Sequence, residues 1–175
     1  MTSNSLRNGI LTIVVLSLAM GRMAHAGDAM AGAKMAGAAG EALGTVILKQ
    51  TAQGVLVTAD LKGLTPGAHG FHIHETGACD PDFKAAGGHF NPHRASHGYA
   101  HNGQPHAGDM PNVYAHADGT AKADVLNALV SMAAGAAGSL FDDDGSAVII
   151  HAKADSYDDN AGAGSRVACG VIKRQ

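Results

Sequence analysis

Eight histidines crowd residues 69 to 106: His69, His72, His74, His89, His93, His97, His101 and His106. Asp109 follows three residues later, and His151 stands apart near the C-terminus. Neutral imidazole is the commonest protein ligand for zinc and copper, so this density points to metal chemistry. His72 and His74 stand two apart in the run Gly67-Ala-His-Gly-Phe-His-Ile-His. On a strand, that spacing sends both rings off one face with β-carbons about 7 Å apart, close enough to hold one ion. His151 ends Val148-Ile-Ile-His and can add a third nitrogen from another strand; His89, in Gly87-Gly-His-Phe-Asn-Pro, can add a fourth from a loop. Four nitrogens in a flattened array suit Cu(II). His97, His106 and Asp109 supply two imidazoles and a carboxylate, and with His89 they make a set suited to tetrahedral zinc. The count works for two ions only if His89 serves both, one ring nitrogen to each.

Strands and long ordered loops must position these side chains. Residues 44–51 and 54–61 are β-branched runs around Ala52-Gln53-Gly54, a hairpin pattern. Leu64-Thr-Pro-Gly is a tight reversal, and a strand follows through His74. Residues 75–111 are rich in Gly, Pro, Asn, Asp and His and show no sustained period. A loop of that length needs something to order it, and ligand bonds to a metal would do so. Residues 112–117 run into Asp118-Gly119, a hairpin signal, and Thr120 to Val125 returns. Gly135 and Gly138 weaken any helix over 126–140, which reads as irregular or strand. Residues 147–152 and 166–172 are further strands. Asp142-Asp-Asp-Gly145 reads as a turn, since it lacks the alternating ligands and terminal Glu of a calcium loop. The chain is predicted to be all-β.

The first 26 residues read as a cleaved secretory signal. Arg7 precedes an apolar run from Ile10 to Met20, and Ala24-His25-Ala26 offers a small-x-small cleavage site before Gly27. The run is shorter than the roughly 20 residues that span a membrane. Residues 27–43, dominated by Ala and Gly, read as a flexible lead-in whose methionines are inert, leaving one domain over 44–175. A net charge of −3 without any Lys/Arg block excludes nucleic acid and an anionic membrane surface as partners. In an exported domain, the only two cysteines, Cys79 and Cys169, are expected to pair. Such a bridge closes a loop of about 90 residues and contributes about 4 kcal/mol. Thiolate ligation to a metal is the weaker alternative, because imidazoles already supply ligands.

These residues closely resemble secreted, bacterial-type copper/zinc superoxide dismutase from about 44 to 173. The matching text is Gly67-Ala-His-Gly-Phe-His-Ile-His-Glu, Gly88-His-Phe-Asn-Pro, His106-Ala-Gly-Asp, Val148-Ile-Ile-His-Ala-Lys-Ala-Asp and Ala163-Gly-Ser-Arg-Val-Ala-Cys-Gly-Val-Ile. The resemblance implies a Greek-key, Ig-like β-sandwich or flattened barrel of about eight antiparallel strands with long metal-binding loops. It implies copper held by His72, His74, His89 and His151, and zinc held by His89, His97, His106 and Asp109. Asp155 would accept hydrogen bonds from a ligand histidine on each metal, and Arg166 would stand beside the open copper position. Cys79–Cys169 matches the family's disulfide, and His69 matches a structural histidine. His93 and His101 have no counterparts and read as surplus, as does His116 on the surface. Residues 156–164 are shorter than the charged loop of many relatives, leaving Lys153 as the one candidate for guiding substrate.

The implied reaction disproportionates superoxide to O2 and hydrogen peroxide by cycling Cu(II)/Cu(I), with His89 and Arg166 as the catalytic residues, for antioxidant defence in the periplasm. The competing reading is an exported copper/zinc carrier without catalysis, for which one would expect a lost copper ligand or a lost arginine. Oligomeric state, monomer or homodimer, is not written in this text.

Overall fold

The computed structural model describes Met1 and residues 29–175. The signal segment expected over 1–26 therefore lies, Met1 aside, outside the described residues. Strands β1 (Met30–Gly37), β2 (Ala42–Thr51), β3 (Gly54–Leu61), β4 (Gly67–His74), β5 (Asp109–Ala115), β6 (Ala121–Asn127), β7 (Ala147–His151), β8 (Arg166–Val171) and a two-residue β9 (Lys173–Arg174) build the molecule. One 3-10 turn, Phe83–Ala86, is the only helical element among the described residues. The strands follow one antiparallel path, β5-β4-β7-β8-β1-β2-β3-β6, with β9 on β1, which makes an almost closed eight-stranded barrel.

Period-two alternation decides which side chains face inward. Val46 and Leu48 of β2, with Val55, Val57, Ala59 and Leu61 of β3, are all buried in one core. Their polar neighbours Lys49, Thr58 and Asp60 are exposed, as expected when one face of a strand is wet. β4 and β7 differ, because every residue from His69 to His74 and from Ala147 to His151 is buried. Phe71, Ile73, Val148 and Ile150 enter the barrel core. The opposite parity, His72, His74, Ala147 and Ile149, points outward and is buried only because loops cover it.

Two expectations are corrected here. Of the flexible lead-in expected over 27–43, residues 27 and 28 lie outside the described residues, and Met30–Gly37 forms a strand that pairs with β2, β8 and β9. Ala31, Ala33 and Met35 alternate inward to at most 1% exposure. Small side chains concealed the alternation from a reading based on composition. The Asp118-Gly119 turn forms, with His116 N–H donating to Thr120 O at 2.8 Å. No β5–β6 ladder follows it, since β5 pairs with β4 and β6 with β3 at the two ends of the sheet path. The connection spans the barrel seam and is not a hairpin.

Candidate metal centre

The outer face of β4 sets the first group of ligands. In the ladders, His72 stands opposite Ile149 of β7 on one side and Asp109 of β5 on the other. His151 lies two residues beyond Ile149 and thus shares the outward parity of His72, after a register shift at Ile150. His89 is brought to β4 by an isolated bridge with His74. One donor atom from each of His72, His74, His89 and His151 falls within 4.8 Å of every other.

Each ring is fixed from behind. His72 Nε2–H donates to Asp155 Oδ2 at 2.6 Å, His74 Nδ1–H to Gly87 O at 3.0 Å, and His151 Nδ1–H to Gly164 O at 3.3 Å. These contacts leave His72 Nδ1, His74 Nε2 and His151 Nε2 buried with no hydrogen-bond partner. Orphaned buried polar atoms are rare and call for an explanation. Three of them converging at ligand distance fit a cation, because a fixed tautomer aims each lone pair at the same point. Burial, together with the neighbouring His89, pushes His74 down to about 2. Burial and the His72 charge bring His151 to about 4. Burial also lowers His72 despite the opposing Asp155 hydrogen bond. At neutral pH the rings are therefore uncharged and able to ligate.

The second group lies on the far side of His89. Donor atoms of His72, His89, His97 and Asp109 also fall within 4.8 Å of one another. His89 Nδ1–H donates to Asp109 Oδ1 at 2.8 Å, leaving Nε2 for the first group. His106 is not in this compact set, where His72 takes its place. Its Nδ1, however, is buried without a hydrogen-bond partner and sits 3.6 Å from Asp109 Oδ1. Its ring centroid is 5.5 Å from that of His89 and 5.4 Å from that of His97. His97 Nδ1 lies 2.6 Å from Asp158 O, and its Nε2 is 3.6 Å from Asp109 Oδ1. Burial opposes ionisation of Asp109, but hydrogen bonds from His89 and from Gly98 N–H outweigh it and hold the carboxyl below its ordinary range.

Asp155 lies between the groups, its Oδ2 2.6 Å from His72 Nε2 and 3.0 Å from His97 Nε2. Burial works against its charge, yet the His72 hydrogen bond and the Tyr157 N–H bring it to about 2. Arg166 faces His151 across the β7–β8 ladder. Its guanidinium donates to Phe83 O and to Gly87 O, the carbonyl that also accepts from His74. Burial lowers Arg166 against the opposing Asp82 and Glu75 charges, and its own charge adds to the depression of His74 and His151. Cys79 and Cys169 form a disulfide, and Cys79 lies on the loop that carries the Phe83 and Gly87 carbonyls.

His69 lies outside both groups. Its Nδ1 meets His151 O at 2.6 Å and its Nε2 meets Thr65 O at 2.7 Å. His93 and His116 are exposed and His101 is half-buried; none enters a ligand group. Lys153 is exposed beside Gly164. Asp142 Oδ1 caps its turn by accepting from Gly145 N–H at 3.1 Å. Sequence reasoning missed the Gly87 carbonyl, shared by His74 and Arg166, and Asn112 and Tyr157, which touch Asp155. A carbonyl has no side-chain signature, and a lone Tyr in a polar loop has no spacing to reveal it.

Comparisons with known proteins agree with this geometry. The family described as copper/zinc superoxide dismutase (SODC) matches residues 42–172. Superoxide dismutase [Cu-Zn] 2 of Aquifex aeolicus is 46% identical over 150 residues, 83% of this chain and 88% of that protein. Superoxide dismutase [Cu-Zn] of Caulobacter vibrioides is 45% identical over 139 residues, 77% of this chain and 80% of that protein. Among solved structures, the Cu/Zn superoxide dismutase from Brucella abortus superposes with a TM-score of 0.68 at 31% identity, covering 82% of this chain and 99% of that one. A double mutant of a superoxide dismutase-like protein from Bacillus subtilis gives a TM-score of 0.76 at 37% identity, over 80% of this chain and 95% of that one. From strand path to ligand groups to sequence match, the findings converge: the chain belongs to the copper/zinc superoxide dismutase family.

Proposed function

We propose that the protein disproportionates superoxide to O2 and hydrogen peroxide, with copper at His72, His74, His89 and His151 and zinc at His89, His97, His106 and Asp109. Copper bound there would supply the one-electron couple, while zinc, which has no redox chemistry, would fix the loop. The observation that carries this reading is the set of three orphaned imidazole nitrogens converging beside Arg166. Arg166 spends two N–H donors on Phe83 O and Gly87 O, which hold its plane still. The remaining donors of the five are free to bind an anion through a charge-assisted hydrogen bond. His72 and His74 are sealed from water, whereas the His89 side chain is 14% exposed. Among the four copper-group rings, His89 is therefore the one best placed to pass a solvent proton to a reduced oxygen species. Export through a cleaved leader to the periplasm completes the proposal, supported by the 1–26 pattern and by a disulfide suited to an oxidising compartment.

Pulse radiolysis of the copper- and zinc-loaded protein tests it. Superoxide is expected to decay far faster than with the same concentration of free copper. Arg166→Ala is expected to slow that decay by about thirtyfold, the equivalent of about 2 kcal/mol for a hydrogen bond to a charged group, with copper content unchanged. Decay no faster than free copper would remove the enzyme reading and favour a metal carrier.

A further inference from the structure

We propose that Tyr157 is a positioning residue that aims the Asp155 carboxylate at both ligand groups. The proposal rests on the two-metal reading above. Tyr157 has φ 66°, the left-handed region, where a bulky side chain is an outlier. Such strain persists only when the surroundings over-determine it. Here every polar group of the residue is engaged. Its N–H donates to Asp155 Oδ1 at 2.7 Å, fixing the oxygen that does not face the imidazoles. Its carbonyl accepts from Ala100 N–H at 2.9 Å, on the loop just beyond His97. Its hydroxyl accepts from the backbone N–H of Asn112 at 2.7 Å.

Asn112 closes the circuit. Its side chain accepts from Asp155 N–H at 2.7 Å and donates to Asp155 O at 2.9 Å, gripping the backbone whose side chain Tyr157 grips. The Tyr157 ring packs 5.5 Å from that of Tyr99, whose hydroxyl donates to Asp109 O at 2.7 Å. Gly98 admits the strap: a Cβ there would lie 2.1 Å from Tyr157 O. Asp155 is thus held from β5, from the His97 loop and from its own neighbour, and Tyr157 joins all three. Removing its hydroxyl leaves the Asn112 N–H without its acceptor and unties from β5 the strap whose backbone N–H holds Asp155 Oδ1, loosening the aim of the carboxylate at His97.

Three variants, Tyr157→Phe, Asn112→Ser and the double, decide the matter. Zinc affinity is read by competition with a chromophoric chelator, and the ligand field by the visible bands of Co(II) placed in the zinc group. Outer partners of metal ligands are worth 10 to 100-fold in affinity. Tyr157→Phe should therefore weaken zinc about tenfold and shift the Co(II) bands. Asn112→Ser should do the same, and the double variant should be no weaker than the worse single, because the residues act through one carboxylate. If Tyr157→Phe fails to fold, Asn112→Ser alone must still shift the bands. Unchanged zinc affinity and Co(II) bands with only a lower melting temperature of the metal-free protein, or strictly additive losses, would overturn the proposal. Failure of the unaltered protein to bind zinc or Co(II) would overturn the two-metal reading beneath it.

Discussion

At the scale of single residues, each candidate ligand nitrogen is made by what holds the other end of its ring. Gly87 O and Gly164 O fix the tautomers of His74 and His151, and Asp155 fixes that of His72. Burial lowers all three below the ordinary 6.5. An unfolded chain protonates these imidazoles near 6.5, whereas the folded one resists down to about 4 at His151 and about 2 at His74. Below 6.5 the unfolded state therefore binds more protons, so stability falls as pH falls. Metal-free protein is expected to melt at progressively lower temperature from pH 7 to pH 4, and His151→Phe should flatten part of that slope. A melting temperature independent of pH over this range would contradict the assigned neutral state. Asp155 acts in the same sense at lower pH: its lowered value gives stability that is present above about 3.8 and lost as pH falls toward 2.

At the scale of elements, the site exists because β4 and β7 are covered on both faces. The period-two reading of His72 and His74 and the distal strand histidine were legible because alternation on a strand is strict. The loop ligands were countable along the chain. Their mutual distances were not, since a loop without a period fixes no geometry. The same limit hid the substitution of His72 for His106 in the compact second group. It also hid the loop from Cys79 to Gly88, where the disulfide, the Phe83 carbonyl and the Gly87 carbonyl meet Arg166. Cys79→Ser with Cys169→Ser is expected to cost about 4 kcal/mol, by releasing a closure of 90 residues. It should also weaken superoxide turnover more than zinc binding, because Arg166 loses its carbonyl seats while the His97–Asp109 loop stays tied to Tyr157. Denaturant melts and zinc titration check the pair, and equal loss of turnover and zinc affinity would contradict this division.

At the scale of the whole molecule, the barrel is a platform whose closure depends on a strand that composition disguised. β1 is written entirely in Ala, Gly, Met and Lys, so an alternation of small residues passed for low complexity. Yet it joins β8 to β2 in the middle of the sheet path. A chain beginning at residue 44 is therefore expected to lack a cooperative melt, whereas one beginning at residue 27 should fold; indistinguishable melts would show β1 to be dispensable. The central claim concerns the ring of His89, 4.0 Å by centroid from His72, 4.9 Å from His74 and 5.1 Å from His97, and a member of both ligand groups. Electron paramagnetic resonance of protein loaded with Cu(II) in both groups tests it most directly. A single imidazolate joining the ions couples their spins antiferromagnetically, so the predicted result is a spectrum far weaker than two Cu(II) per chain, restored to one uncoupled signal when zinc fills the second group. Two full, independent Cu(II) signals in the doubly loaded protein would contradict the shared ring.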